Sequence, residues 1–149
     1  NKVKGYTGGE YMVETDKRAK IPGSSIIAVK QMQKLCEEKD MDLLLLEMPS
    51  ESSWSYKRHN AVKDFAEEHN LPFVDLNLDR DRFDFDWTTD SRDGGNHLNS
   101  AGARKVTRFI GEYLKEHYDL PDHREDPDFN IWHEDFKAYM EQVKFTEDD

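Results

Sequence analysis

Two thirds of the way along the chain, Asp93-Gly94-Gly95-Asn96-His97-Leu98-Asn99 runs straight into Ser100-Ala101-Gly102-Ala103. An imidazole with a carboxylate four residues before it is the pair a general-base mechanism needs. The ring takes a proton from a nucleophile and returns it to a leaving group, while the acid holds the tautomer and steadies the imidazolium. Gly94-Gly95 lets the backbone bend sharply enough for Asp93 to turn back on the ring. Asn99 or Ser100 can cap the helix that follows, and the first N–H groups of that helix favour a nearby anion. Asp90, seven residues before His97, is the reserve acid. The bland alternative is a surface histidine in a capping loop.

Other residues compete for a role. Ser50, Ser52, Ser53 and Ser55 occupy a loop after a strand, with Trp54 among them. Ser52, Trp54 and Asn96 are the candidates for substrate contact. Trp54 and Trp87 can stack on a sugar ring or pack into the core. Ser24-Ser25 follows Pro22-Gly23 and opens a helix with no hydrophobic strand before it, so it reads as a cap rather than a nucleophile. Asp79, Asp81, Asp84 and Asp86 offer oxygen ligands for calcium, but the glycine and the twelfth-position Glu of an EF-hand loop are missing. Arg80, Arg82, Phe83, Phe85 and Trp87 interleave with those acids, which suggests a loop half-packed on the domain with its charges in water. A zinc site on His97, Asp93 and Asp90 needs a remote ligand such as His59. No metal and no organic cofactor is expected. His59 and His69 share one helix and read as surface or satisfied core histidines.

Composition narrows the classes. A formal net charge of -11 with no Lys/Arg cluster argues against a nucleic-acid partner. The single cysteine, Cys36, excludes an internal disulfide and reads as an inert thiol on a helix face. No stretch has the apolar length of a membrane span, and no signal peptide is visible. Asn1 in place of an initiator Met leads us to expect that a natural N-terminus, with any targeting segment, has been removed.

The elements that must position these residues follow from periodicity. Residues 1–23 form an irregular lead-in with turn signals at Gly5, Gly8-Gly9 and Pro22-Gly23. A helix is expected from Ser24 or Ser25 to about Asp40, with Ala28, Val29, Met32, Leu35 and Cys36 on one face. The run from Asp42 to Met48 predicts a strand buried on both faces, as in a parallel sheet covered by helices, and Pro49 stops it. A second helix ends near His69, a second strand covers Phe73–Leu76, and residues 77–99 form a long polar loop of the kind more often functional than idle. A helix follows over 100–118. A last one over about 130–143 carries Trp132, Phe136, Tyr139, Met140 and Val143 as a core-facing stripe. The acidic run Glu147-Asp148-Asp149 ends the chain. This alternation predicts an α/β layered architecture with right-handed crossovers. Two strands alone leave edges unpaired, so further strands are expected to precede Asn1 in the natural protein.

The segment from Asp93 to Ala103 resembles the last conserved block of the SGNH (GDSL-like) hydrolases. Leu-Leu-Leu-Leu-Glu-Met-Pro-Ser (43–50), Trp-Ser-Tyr-Lys-Arg-His-Asn-Ala-Val (54–62) and Leu-Pro-Phe-Val-Asp-Leu-Asn (71–77) look like that fold's penultimate strand, crossover helix and last strand. The similarity covers roughly residues 24–118 and is nearest to bacterial cell-envelope members of the DltD-like group. It implies a three-layer α/β/α flavodoxin-like sheet, incomplete in this chain, with 119–149 as a helical extension. It also implies hydrolysis or transfer of acyl esters, often acetyl groups on carbohydrate or cell-wall polymer. By this resemblance the protein belongs to the bacterial cell envelope or the cytoplasm, and its partner is an ester-bearing small molecule or glycan. His97 matches the catalytic histidine. The family spaces its Asp three before the His, where this chain has Gly94, so Asp93 takes that role with Asp90 behind it. No Gly-Asp-Ser nucleophile block and no Gly-x-Asn-Asp oxyanion block is present. The chain is therefore expected to hold the His–Asp half of an active site. The rival readings are a non-catalytic carbohydrate-binding or structural module of the same fold, and a flavodoxin-like metal or phosphotransfer domain.

Overall fold

A computed structural model describes residues 2–143; Asn1 and the acidic run Glu147-Asp148-Asp149 lie outside the described residues. The elements are α1 (Gly23–Glu38), β1 (Leu45–Glu47), α2 (Tyr56–Glu68), β2 (Phe73–Asp75), the single turn α3 (Trp87–Asp90), α4 (Ser100–His117) and α5 (Asn130–Val143). The fold is mixed α/β, with β1 and β2 paired in parallel as Leu45↔Phe73, Leu46↔Val74 and Glu47↔Asp75. The chain divides into two compact units, 1–111 and 112–149, with the boundary inside α4.

Within the first unit the sheet has two unlike sides. Leu46 and Val74 pack on a core of Leu76, Phe83, Phe85, Trp87, Val106 and Phe109, so α4 covers this side. On the other side Phe73 meets His59 of α2, with ring centroids 5.7 Å apart. Here Ile26, Val29, Leu45, Val62 and Phe65 line an open groove of about 400 Å³. The strand expected over 42–48, buried on both faces, is corrected on both counts. It shrinks to three residues, all half-buried. The reason is that among the described residues β1 pairs with β2 alone, and α1 buries none of its residues: Ile27, Met32 and Leu35 are exposed. The helix start also moves. Ser25 and Ile26 donate their N–H groups to the Pro22 carbonyl, so Pro22 occupies the cap position and neither Ser24 nor Ser25 does.

Residues 77–99 are more ordered than a polar loop. From Phe83 to Trp87 the chain alternates, with Phe83, Phe85 and Trp87 buried while Asp84 and Asp86 stay in water. Rings drive this packing: Phe85 meets Trp87 edge to face at 4.9 Å, and Tyr6 and Tyr11 of the lead-in close on Trp87 at 6.0 and 5.9 Å. The lead-in is thus irregular but docked. Its backbone joins the loop through Tyr6 N–H to the Trp87 carbonyl and Lys4 N–H to the Ser91 carbonyl.

In the second unit the Asp126 carboxylate accepts from the Asp128 N–H at a short 3-10 turn, Pro127–Phe129, that leads into α5. The apolar stripe of α5 does not form a core. Trp132 (70% exposed), Phe136 and Tyr139 face solvent, because an amphipathic helix hides its stripe only where another element covers it.

The start of α4 is held by close approach. Gly102 is buried, and a Cβ built there would stand 2.5 Å from the Asp90 carbonyl oxygen. Gly102→Ala is expected to destabilise the fold by about 1–3 kcal/mol through overpacking. Gly111→Ala, on the same helix with open space around it, is expected to stabilise by about 0.5–1 kcal/mol. Urea denaturation of the two variants checks the opposite signs.

Candidate active site

Asp93 and His97 meet. The His97 Nδ1 lies 2.5 Å from Asp93 Oδ2, while Asp93 Oδ1 accepts the backbone N–H groups of His97 (2.8 Å) and Asn96 (3.2 Å). One carboxylate therefore orients the ring and closes the loop beneath it. The four-residue spacing works because Gly94 and Gly95 adopt φ of +91° and +115°, a region that side chains disfavour. Hydrogen bonding from the His97 ring and from the two amides holds the Asp93 carboxyl down at about 2, so it is ionised at neutral pH and can only accept. Nδ1 must then carry the hydrogen, so that in the neutral ring Nε2 is the nitrogen with a lone pair to offer. Asn96 Nδ2 stands 3.3 Å from Nδ1, but a protonated Nδ1 cannot accept, so no bond forms there. The His97 side chain is 57% exposed, so the ring is open to a partner from solution.

Asp90 is placed elsewhere. Its carboxylate is buried, accepts the Asp86 N–H at 2.8 Å and pairs with Lys105 Nζ at 2.9 Å. It braces α3 against α4 and does not orient His97. Asn99 is the cap of α4: its Oδ1 accepts the Gly102 N–H, and its Nδ2 donates to the Thr89 carbonyl.

The rim loop after β1 comes to the same place. Glu51 N–H donates to the Gly95 carbonyl at 2.8 Å, and Ser52 Oγ donates to Asn96 Oδ1 at 2.5 Å. Ser52 and Asn96 thus flank His97 together. Ser50 and Ser53 share a hydroxyl–hydroxyl bond of 2.6 Å. Trp54 goes inward instead: its indole N–H donates to Asp75 Oδ2, and its ring lines the groove beside α1 and α2. Of the two readings open for these tryptophans, stacking on a sugar or packing inward, both take the second, Trp87 in the buried core; Trp54 is thereby not placed at the rim as a substrate contact.

A second polar cluster, centred on Asp75, lies at the carboxyl ends of the strands and escaped the sequence reading. Asp75 Oδ2 meets His59 Nδ1 at 2.8 Å as well as Trp54, and Asp75 Oδ1 accepts from Asn77. In the ladder Glu47 stands opposite Asp75. Burial, together with the negative charge of Asp75, pushes the Glu47 carboxyl up to about 7, with Arg58 pulling the other way. The available signal was the acid that ends each strand, which by itself does not mark a cluster. Among the described residues no three His, Cys, Asp or Glu side chains gather as a metal site.

The Glu47 shift has a definite sign. A carboxyl whose folded value lies above its unfolded one stabilises the fold below about pH 4.5, and that stability is lost as pH rises through about 7. Glu47→Gln is expected to match the parent at pH 4 and to exceed it at pH 8 by about 1 kcal/mol, after allowing for solvent screening of a half-buried group. Thermal melts at the two pH values check it.

Comparison with protein-family models, with characterised proteins and with solved structures finds no match to this chain.

Proposed function

We propose that this chain carries the base-and-acid half of a serine ester hydrolase or acyltransferase of the SGNH type. In this reading the parallel pair β1–β2 belongs to a three-layer, flavodoxin-like sheet whose other strands lie beyond β1. The observation that carries it is the His97–Asp93 contact, on a loop that follows the last strand and opens a helix. In open α/β sheets this is where sites form, beyond the carboxyl ends of strands.

The chemistry then runs as follows. A serine hydroxyl attacks the ester carbonyl as its proton passes to His97 Nε2, and the Asp93 carboxylate steadies the imidazolium. The imidazolium gives that proton to the departing alkoxide. Water, or an acceptor hydroxyl, repeats the sequence on the acyl-serine and releases the acyl group. Ser52 and Asn96, beside the ring, are placed to contact the substrate. The rim serines are poor nucleophile candidates: Ser50 and Ser53 bond to each other, and Ser52 bonds to Asn96 rather than to a base. The serine and its oxyanion donors are therefore assigned to a part of the protein outside the described residues. An O-acylated glycan or cell-wall polymer is the proposed substrate, on the family resemblance alone.

One observation favours a second reading, a non-catalytic glycan-binding module of the same fold. A polar rim of Ser52, Asn96 and Glu51 surrounds an exposed His97, with no nucleophile block in the sequence. Glycan affinity without turnover, unchanged by His97→Ala, would favour it.

The test is a fluorophosphonate probe on the protein at its full natural length, read by intact mass. The expected result is a single serine adduct, formed at least about a hundredfold more slowly in His97→Ala, the scale of a lost general base. No adduct, or an adduct indifferent to His97, overturns the proposal.

A further inference from the structure

More than half of the His97 side chain is exposed. Its backbone does much to aim the ring, and Ser91 lies behind that backbone. Ser91 is completely buried. Its Oγ accepts the N–H groups of Gly94 (3.2 Å) and Gly95 (2.8 Å) and donates to the His97 carbonyl at 3.3 Å. The main chain of Ser91 is anchored as well. Ser91 pairs with Leu98 in a single antiparallel bridge, and its carbonyl accepts from Lys4 N–H and Asn99 Nδ2. One hydroxyl thus holds the Gly95 amide of the positive-φ turn and adds a second bond to the Gly94 amide, which also reaches the Lys4 carbonyl, and to the His97 carbonyl, which also accepts the Arg92 N–H.

We propose that Ser91 is a positioning residue that sets the His97–Asp93 pair, an inference that rests on reading that pair as base and orienting acid. A hydroxyl uses both its acceptor and donor capacity here. Removal strands the buried Gly95 N–H, while the Gly94 N–H keeps the Lys4 carbonyl and the His97 carbonyl keeps the Arg92 N–H; a buried unpaired amide drives local rearrangement. The turn relaxes by moving Gly94 and Gly95, which lie between the carboxylate and the ring. Asp93 Oδ2 and His97 Nδ1 then part, and with them the constraint that keeps the hydrogen on Nδ1. A merely structural serine would lower stability and leave the tautomer of His97 unchanged.

The experiment is side-chain 15N NMR of the histidines of the whole chain near neutral pH, which reports the tautomer without turnover. In the parent, His97 is expected as the Nδ1–H form. In Ser91→Ala it shifts toward the Nε2–H form that free imidazole prefers, while the other five histidines keep their spectra. Ser91→Thr, which retains a hydroxyl, restores the Nδ1–H form. A folded Ser91→Ala chain with an unaltered His97 overturns the proposal. If Ser91→Ala does not fold, the parent decides: the Gly95 amide must exchange with solvent at least about tenfold more slowly than an unprotected amide, and exchange at the unprotected rate overturns the proposal. A shifted tautomer in a protein that labels no serine would sink the catalytic reading and keep the positioning one. Labelling that depends on His97 alongside an unmoved tautomer would do the reverse.

Discussion

The rim of this molecule depends on one buried amide. Asn77 is 1% exposed, and its carboxamide has no capacity left over. The oxygen accepts from the Ser50 N–H and the Tyr11 hydroxyl, and the nitrogen donates to the Met48 carbonyl and to Asp75. Those four partners belong to the chain after β1, the lead-in and β2. A strand end, a rim loop and an otherwise irregular segment are thereby locked to each other. In a dry interior an amide is costly unless every bond is made, so the same group that would destabilise the fold when unpaired specifies it when saturated. The rim loop that Asn77 holds is the one whose Glu51 and Ser52 reach the His97 turn.

The two His–carboxylate contacts differ in what surrounds them. His59 and Asp75 are enclosed, at 14% and 2% side-chain exposure, and they share their carboxylate with Trp54 and Asn77. Enclosure and a full set of bonds make that pair a brace. His97 and Asp93 lie in the open, at 57% and 34% side-chain exposure. Exposure weakens the electrostatic gain from the pair but leaves the ring accessible, which a base needs. In the proposed function it is the open pair that reacts, and burial alone would have pointed to the other.

The sequence was a good guide wherever a rule is local. The helical periodicity of 24–40, 56–69 and 100–118 corresponds to α1, α2 and α4, and Asn99 does cap α4. The Gly94-Gly95 pair signalled the turn that lets Asp93 reach His97, because only the backbone has to bend for that contact. What could not be read depended on partners distant in sequence. The run from Asp42 to Met48 looked doubly buried because apolar content says nothing of how many strands stand beside it, and among the described residues β1 has one. Asp90 and Asp93 looked like alternatives until Lys105, fifteen residues on, claimed Asp90. Trp54 sat on a loop, yet Asp75 drew it inward from twenty-one residues away. The stripe of α5 had the right period for a core, yet within its own unit Trp132, Phe136 and Tyr139 are exposed.

The alternation from Phe83 to Trp87 has a consequence for the chain before it folds. Three large aromatic residues in five would make a sticky segment on an emerging polypeptide. Asp84 and Asp86 stand between them, and in the folded state these acids face water while the rings face inward. The same charges act as gatekeepers when the rings are not yet buried, since stacked copies of the segment would bring like charges together at every layer. The leucine run at 43–46 has such guards only at its borders, in Asp42 and Glu47, with Pro49 just beyond. These two apolar stretches of the first unit are therefore unequally protected during synthesis, and a chaperone has more reason to hold the leucines than the aromatics.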